Sequence, residues 1–195
     1  MIHPGVDLTA FRSLGERSEA PTVFCGADLA EPRKRVNLLV EAFALVRREH
    51  PRARLVLSRP RDRAAAERFA REHPDVELRD VDDRESLARA YSEAWVSALP
   101  SFGEAFGLVL AEAMACGTPV VAANSGGMRE VADSGAVSRL FEGDRPADLA
   151  NALLEGFELT GDPRTPGACR ARAEHFSTER CVQRHLELYH ELLAA

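Results

Sequence analysis

Long apolar runs are missing from this chain of 195 residues. No stretch approaches the roughly 20 residues that a helix needs to span a bilayer. Residues 1–7 also lack the basic start and apolar core of a secretory signal. The four cysteines (Cys25, Cys116, Cys169 and Cys181) form no C-x-x-C pair, which argues against a zinc site and a dense disulfide framework. These absences predict a cytoplasmic protein with reduced thiols and no membrane span.

An excess of positive charge is missing as well, since 25 lysines and arginines face 31 aspartates and glutamates, for a net charge of −6. General attraction to nucleic acid is therefore not expected. No G-x-G-x-x-G follows the first predicted strand, which argues against a dinucleotide-dependent oxidoreductase. No internal repeat appears either. The length predicts one domain with a substantial core.

Short apolar segments alternate with helical patterns along the whole chain. Predicted strands cover 22–25, 54–58, 76–79, 94–99, 120–123 and 137–141. Helical periodicity or composition separates most of them, as in Val36, Leu39, Phe43 and Val46. Strands that alternate with helices form a parallel sheet. We therefore predict an α/β fold, a Rossmann-like three-layer αβα domain with a parallel sheet of about six strands.

The central unit is a predicted strand, a glycine-containing loop, a helix from Phe106 to Ala115, and a second strand. The loop and the helix start lie at the carboxyl edge of the sheet, where such folds bind ligands. The free backbone N–H groups of the first helical turn favour a phosphate. Glycine lets a ligand approach the backbone closely. The predicted binding residues here are Gly103, Ala105, Phe106, Gly107, Leu108 and Val109.

Two carboxylates flank this predicted anion site, Glu104 in the loop and Glu112 inside the helix. An ionised carboxylate accepts hydrogen bonds, and a sugar offers pairs of hydroxyl donors. The pattern therefore suits a ligand that is part phosphate and part polyol. The spacing alone leaves an alternative open, in which Glu104 caps the helix and Glu112 is a solvated helix position.

The segment SFGEAFGLVLAEAMACGTPVV (101–121) resembles the E-x7-E signature of retaining glycosyltransferases of the GT-B fold, family 4. The segment SGGMREV (125–131) is similar to that family's second glycine turn. The resemblance implies the C-terminal half of a GT-B fold, which binds a nucleoside-diphosphate sugar and transfers the sugar to a hydroxyl acceptor without a metal or other cofactor. It also implies that Glu104 holds sugar hydroxyls and that Glu112 holds the ribose diol.

The segment from Lys34 to Phe43 is similar to the family's K-G-x-x-x-L-x-x-A-F, whose lysine contacts the donor diphosphate. We therefore predict Lys34, with Glu104, as a catalytic residue. The family has Gly-Arg at the preceding strand end where this chain has Gly-Ala, so either Arg33 or Arg35 is expected to supply the second cation. The resemblance also makes Leu78 and Arg79, at another strand end, candidates for binding the base; plain strand positions are the alternative.

The segment IHPGVD (2–7) resembles the family's interdomain segment. It predicts a boundary segment over 1–20 and a donor-binding domain over 21–195, with C-terminal helices over 168–193. The expected partners are a nucleoside-diphosphate sugar and an N-terminal acceptor domain that is absent from this sequence. Two alternative functions stay open at this point. One is a nucleotide-sugar epimerase of the same architecture, and the other is a non-catalytic nucleotide-sugar-binding module.

Overall fold

A computed structural model of the chain describes residues 2–194. The strands are β1 (Thr22–Cys25), β2 (Arg54–Ser58), β3 (Val76–Arg79), β4 (Val96–Leu99), β5 (Val120–Ala123) and β6 (Ser138–Phe141). The helices are α1 (Val36–Glu49), α2 (Arg63–Glu72), α3 (Arg84–Glu93), α4 (Leu108–Ala115), α5 (Met128–Val131), α6 (Pro146–Leu159), α7 (Thr165–Glu174) and α8 (Thr178–Ala194). A single 3-10 turn, Pro32–Lys34, precedes α1.

The strands form one parallel sheet in the order β3-β2-β1-β4-β5-β6. Helix α1 packs against α6, while α3 and α7 pack against α4. This arrangement confirms the predicted three-layer α/β fold with a parallel sheet of six strands. The order of the strands reverses between β1 and β4, so the connections that leave these two strands diverge and open a crevice at the carboxyl edge.

The central strands are apolar along their whole length because both faces of the sheet are covered. Strands β1, β4 and β5 are buried at every position, which is the expected pattern for a parallel sheet between helical layers. Helix α1 buries Val36, Leu39, Phe43 and Val46, the positions with predicted helical spacing. The sequence pattern therefore fixes which face of α1 meets the sheet.

Two helix starts differ from their predictions. Helix α4 begins at Leu108 and not at Phe106, because Gly107 has a φ of +92°, a left-handed conformation outside the helix. Helix α7 begins at Thr165, three residues before the predicted C-terminal helices, which start at 168. Its Pro166 lies in the first turn, where proline is tolerated because the N–H group it lacks has no partner there.

The segment predicted as an interdomain boundary, 1–20, is packed onto the domain in its described part. Val6 and Phe11 are buried. The backbone N–H of Val6 donates to the carbonyl of Phe176 at 2.7 Å, next to the start of α8. The guanidinium of Arg170 donates to the carbonyls of Leu8 and Phe11 at 2.9 and 2.7 Å. These contacts tie the segment to α7 and to the start of α8.

Helix α8 buries none of its 17 residues. Val182, Leu186, Tyr189 and Leu193 are exposed apolar residues along it, and they repeat at spacings of four, three and four. Charged residues alternate with them. Within residues 2–194, no helix is both long enough and apolar enough to cross a membrane.

Candidate functional site

The loops that follow β1 and β4 meet at the crevice where the strand order reverses. The backbone N–H of Phe102 donates to the carbonyl of Arg33 at 2.8 Å, so the two loops are directly joined. This junction brings the basic triplet 33–35 beside the loop that contains Glu104, as the sequence predicted. The two loops meet because each follows the carboxyl end of a parallel strand, and all parallel strands end at the same edge of the sheet.

Lys34 and Glu104 form an ion pair in this crevice. The Nζ atom of Lys34 lies 2.6 Å from Oε2 of Glu104, and their side chains are 17% and 22% exposed. Glu31 adds a second, more distant carboxylate, 3.9 Å from the same Nζ. The two residues predicted to be catalytic are therefore in contact, and both side chains are mostly buried but not fully closed off from solvent. Their action on a substrate stays a prediction.

The Gly126–Gly127 turn supports the loop around Glu104. The backbone N–H of Gly127 donates to the carbonyl of Glu104 at 3.1 Å. A Cβ atom on Gly127 would lie 2.1 Å from the carbonyl oxygen of Ala105, and one on Gly126 would lie 2.5 Å from that of Glu104. The second glycine motif thus serves close packing of two backbones, and any larger residue there would displace the Glu104 loop.

The start of α4 provides the predicted N–H donors. Gly107 precedes the helix, so Leu108 and Val109 are its first two residues, whose N–H groups have no partner within a helix. Leu108 is partly exposed, and Gly103 (φ +67°) has open space around it. Phe106 differs from these, since its ring is buried against Phe176 at 5.3 Å between centroids. Ala105 is exposed in the loop.

Glu112 lies deeper, on the buried side of α4. Its Oε2 accepts a hydrogen bond from the hydroxyl of Tyr91 at 3.3 Å. Burial raises the pKa of Glu112 to about 7, and the Tyr91 hydrogen bond offsets part of that effect. Glu112 is therefore not the solvated helix position that the spacing alone had left open as an alternative. Its binding role stays a prediction.

Tyr91 is a candidate that the sequence analysis did not identify. The side chain projects from α3 and is fully buried. Burial first, and then the carboxylate of Glu112, raises its pKa well above the usual value. A Cβ atom on Gly26, at the end of β1, would lie 2.9 Å from the Tyr91 hydroxyl. The sequence signal was a tyrosine near the end of a helix, since a tyrosine that is buried there needs a polar partner for its hydroxyl.

Arg33 and Arg35 both use their side chains elsewhere. Arg33 pairs with Glu31 and is mostly exposed. Arg35 has a left-handed backbone with a φ of +49°, at the position where the family motif quoted above has glycine. Its Nε donates to the carbonyl of Pro100 at 2.5 Å, and its Nη1 donates to that of Gly143 at 3.1 Å. The choice between them as the second cation stays open.

Leu78 and Arg79 end β3 at the same carboxyl edge, two strands from β1 on the side away from β4. The guanidinium of Arg79 pairs with Glu93 at 2.6 Å and Glu77 at 3.2 Å. The carbonyl of Leu78 accepts a hydrogen bond from Arg59 at 3.0 Å. The predicted base contacts at this strand end are therefore occupied by side chains of the protein itself, and their role with a ligand is untested.

Three side-chain oxygens near the ends of β4 and β5 are buried and make no hydrogen bond with the described residues: Ser101 Oγ, Asn124 Oδ1 and Ser125 Oγ. Buried polar groups are rarely left unpaired. Sequence reasoning did not single them out, since serine and asparagine are ordinary residues in loops. They add hydrogen-bonding capacity to the edge that contains Glu104.

Within residues 2–194, no three histidine, cysteine, aspartate or glutamate side chains come together as a metal site would require. The predicted independence of a metal concerns the reaction and stays a prediction.

A family model described as "Glycosyl transferases group 1" matches residues 20–158. The chain is 32% identical to a D-inositol 3-phosphate glycosyltransferase of Paenarthrobacter aurescens, over 98% of this chain and 51% of the relative. The chain thus spans about half the length of the curated relatives it matches. The matched range contains Lys34, Glu104 and Glu112.

Solved structures share the fold over nearly the whole chain. Sucrose-phosphate synthase of Thermosynechococcus elongatus superposes with a TM-score of 0.83 and 29% identity, over 98% of this chain and 52% of that one. HepE of Anabaena, solved in complex with UDP-glucose, superposes with a TM-score of 0.81 and 20% identity, over 97% of this chain and 57% of that one. At that lower identity the likeness concerns the fold alone.

Proposed function

This chain belongs to the family of group 1 glycosyl transferases, as the C-terminal half of a GT-B fold, and we propose that it is the donor-binding domain of a retaining glycosyltransferase. The donor is a nucleoside-diphosphate sugar and the acceptor is a hydroxyl group. The proposal is supported by the relative that acts as a glycosyltransferase and by the UDP-glucose in HepE. A further domain of the whole protein would bind the acceptor.

The contact between Lys34 and Glu104 beside the first turn of α4 is the observation that carries this proposal. A diphosphate bound there attracts the ammonium of Lys34 and accepts hydrogen bonds from the N–H groups of Leu108 and Val109. The carboxylate of Glu104 is then free to accept hydrogen bonds from sugar hydroxyls. The ion pair thus holds the ammonium of Lys34 and the carboxylate of Glu104 close to the positions proposed for the diphosphate and the sugar.

The same groups act on the reaction. As the bond between the anomeric carbon and the diphosphate oxygen breaks, negative charge accumulates on the departing diphosphate. Lys34 and the first-turn N–H groups of α4 stabilise that charge more strongly in the transition state than in the ground state. The acceptor hydroxyl forms the new bond at the anomeric carbon. Glu104 positions the sugar and is not a nucleophile in this scheme.

Glu112 binds the ribose of the donor. Two ribose hydroxyls donate hydrogen bonds to the ionised carboxylate, which already accepts one from Tyr91. Burial disfavours the ionised form of Glu112, and hydrogen bonds donated by the ribose hydroxyls stabilise that form. This stabilisation favours binding of the ligand. The order along α4 then follows the chemistry of the donor, with sugar at Glu104, diphosphate at the start of the helix and ribose at Glu112.

Calorimetric titration with a nucleoside diphosphate and with the matching nucleoside separates these roles. We expect Lys34→Ala to weaken the diphosphate about tenfold or more and to leave the nucleoside unchanged. Glu112→Ala should weaken both, by about 1–3 kcal/mol. Arg89→Ala, on the exposed face of α3, serves as a control. Equal losses for both ligands in Lys34→Ala would contradict the assignment, as would unchanged nucleoside affinity in Glu112→Ala.

The cytoplasmic location and the exclusion of nucleic acid stay predictions.

A further inference from the structure

Arg59, in the loop after β2, borders the cleft next to the proposed ribose site. We propose that Arg59 contacts the base of the donor and selects uracil or guanine, which have a carbonyl at C4 or C6, over cytosine or adenine, which have an amino group at that position. This inference rests on the proposed function. It adds the residue that determines base specificity and the class of base that it selects.

The position of the base follows from the proposed ribose contact. Glu112 is bonded to the Tyr91 hydroxyl, which lies against Gly26. Gly26 in turn lines a cleft of about 460 Å³ at the ends of β1, β2 and β3. The base is bonded directly to the ribose, so a ribose at Glu112 places the base in this cleft. The volume is sufficient for a purine or a pyrimidine.

Arg59 is fixed at the wall of this cleft by three contacts. Its Nε lies 2.7 Å from Oδ1 of Asp80, and its Nη2 donates to the carbonyl of Leu78 at 3.0 Å. Its backbone N–H donates to the carbonyl of Arg79 at 2.8 Å. A guanidinium has five N–H donors and no acceptor, so three donors remain. The side chain is 42% exposed, which leaves those donors accessible to a ligand.

The remaining donors of Arg59 match a carbonyl on the base. The O4 atom of uracil and the O6 and N7 atoms of guanine are acceptors, and arginine binds the guanine pair with two hydrogen bonds. Cytosine and adenine present an amino group at the corresponding position. Two donors would then face each other, and the base would lose its partner or Arg59 would have to leave Asp80.

Acceptors that could bind an amino group are mostly engaged within the protein. Besides the strand carbonyl that Arg59 occupies, the carbonyl of Ala27 accepts the Ser58 hydroxyl at 2.9 Å. Asp28 and Asp62 each accept one backbone N–H from their own turn through Oδ1, at 2.9 and 2.8 Å. Their second oxygens and the exposed carboxylate of Asp82 line the same cleft, and these are the acceptors that would favour an amino base instead. The test must therefore compare both classes of base.

The test is calorimetric titration of UDP, GDP, CDP and ADP with the wild-type chain, with Arg59→Met and with Arg89→Met. Arg59→Met keeps the apolar stem and removes every donor. Arg89 is a matched control, because it is a half-exposed arginine that pairs with Glu85 on α3, away from the cleft. We expect UDP or GDP to bind about tenfold more tightly than CDP and ADP. Arg59→Met should reduce that ratio below about threefold, while Arg89→Met should preserve it.

Inorganic pyrophosphate is the internal reference for the phosphate end of the site, and Arg59→Met should leave its affinity unchanged. Arg59→Leu, which also removes every donor, should lose the discrimination as well, and it replaces the methionine variant if that variant melts at a lower temperature. An unchanged ranking in both variants overturns this inference alone, as does a wild-type preference for CDP or ADP. Failure of every nucleoside diphosphate to bind the folded wild type overturns the proposed function itself.

Discussion

Two carboxylates eight positions apart in one loop–helix unit have opposite surroundings. Glu104 is compensated by the ammonium of Lys34 at 2.6 Å, whereas Glu112 has the neutral hydroxyl of Tyr91 at 3.3 Å and is largely desolvated. A paired charge costs the fold little, and a buried unpaired charge costs it several kcal/mol. Equal residue types in one motif therefore contribute differently to stability and to pH dependence.

The largest expected effect is on the stability of Glu112→Gln. The pKa of Glu112 is about 7 in the folded chain and 4.5 in the reference state, so the folded state holds the proton more tightly. Wild-type stability from this group is therefore complete below about pH 4.5 and is lost as the pH rises to about 7. The neutral amide removes that loss. Urea unfolding should show a gain of up to about 3 kcal/mol for Glu112→Gln at pH 8, relative to its effect at pH 4.5.

Glu104→Gln is the matched control for that experiment, since the same chemical change is made beside Lys34. If Glu112→Gln gave no more stabilisation at pH 8 than Glu104→Gln, the contrast between the two carboxylates would be wrong.

The next effect concerns nucleoside binding, where no phosphate titrates. A ribose diol donates to the ionised form of Glu112, so affinity should rise with pH through a midpoint of about 7. Between pH 6 and pH 8 the increase should be about tenfold. Titration calorimetry at several pH values measures it, with Glu112→Gln as the variant whose profile should be flat. A flat wild-type profile would remove Glu112 from the ribose contact.

Tyr91→Phe tests the hydrogen bond at the buried carboxylate. Because this hydrogen bond lowers the pKa of Glu112, its loss should move the midpoint of the nucleoside profile to higher pH. It should also destabilise the chain by about 1 kcal/mol. A loss of stability with an unchanged midpoint would mean that Tyr91 only fills space.

The smallest effect is expected at the paired carboxylate. Glu104→Gln should change the free energy of unfolding by less than about 1 kcal/mol, because the amide oxygen can still accept a hydrogen bond from Lys34, and Glu31 lies 3.9 Å from the same ammonium. Chemical denaturation at pH 7 measures this change. A loss of several kcal/mol in the free energy of unfolding would show that the ion pair mainly stabilises the fold, and would contradict a role that is limited to ligand binding. Lys34→Met provides the reciprocal variant.

The sheet could be predicted from the sequence because each strand is a short apolar run between turn residues. The windows for β1, β2, β3 and β5 match the observed strands. The start of α4 could not be placed, since composition does not report that Gly107 has a positive φ. The start of α7 was predicted three residues too late, because proline and glycine favour loops, whereas Pro166 and Gly167 lie in the first turn of this helix.

The candidate site, too, was only partly predictable from the sequence. The approach of Lys34 to Glu104 was predictable, because topology alone brings the loops after β1 and β4 to one edge. The bond between Tyr91 and Glu112 was not, since it joins side chains 21 positions apart across two packed helices. The left-handed backbone of Arg35 was also hidden, because arginine itself does not favour that conformation.

A crystal structure of the chain with a nucleoside diphosphate tests the central claim most directly. The account predicts the diphosphate against Lys34 and the first turn of α4, with both ribose hydroxyls within hydrogen-bond distance of Glu112. A nucleotide bound anywhere else, with Lys34 still paired to Glu104 and Glu112 bonded only to Tyr91, would contradict it.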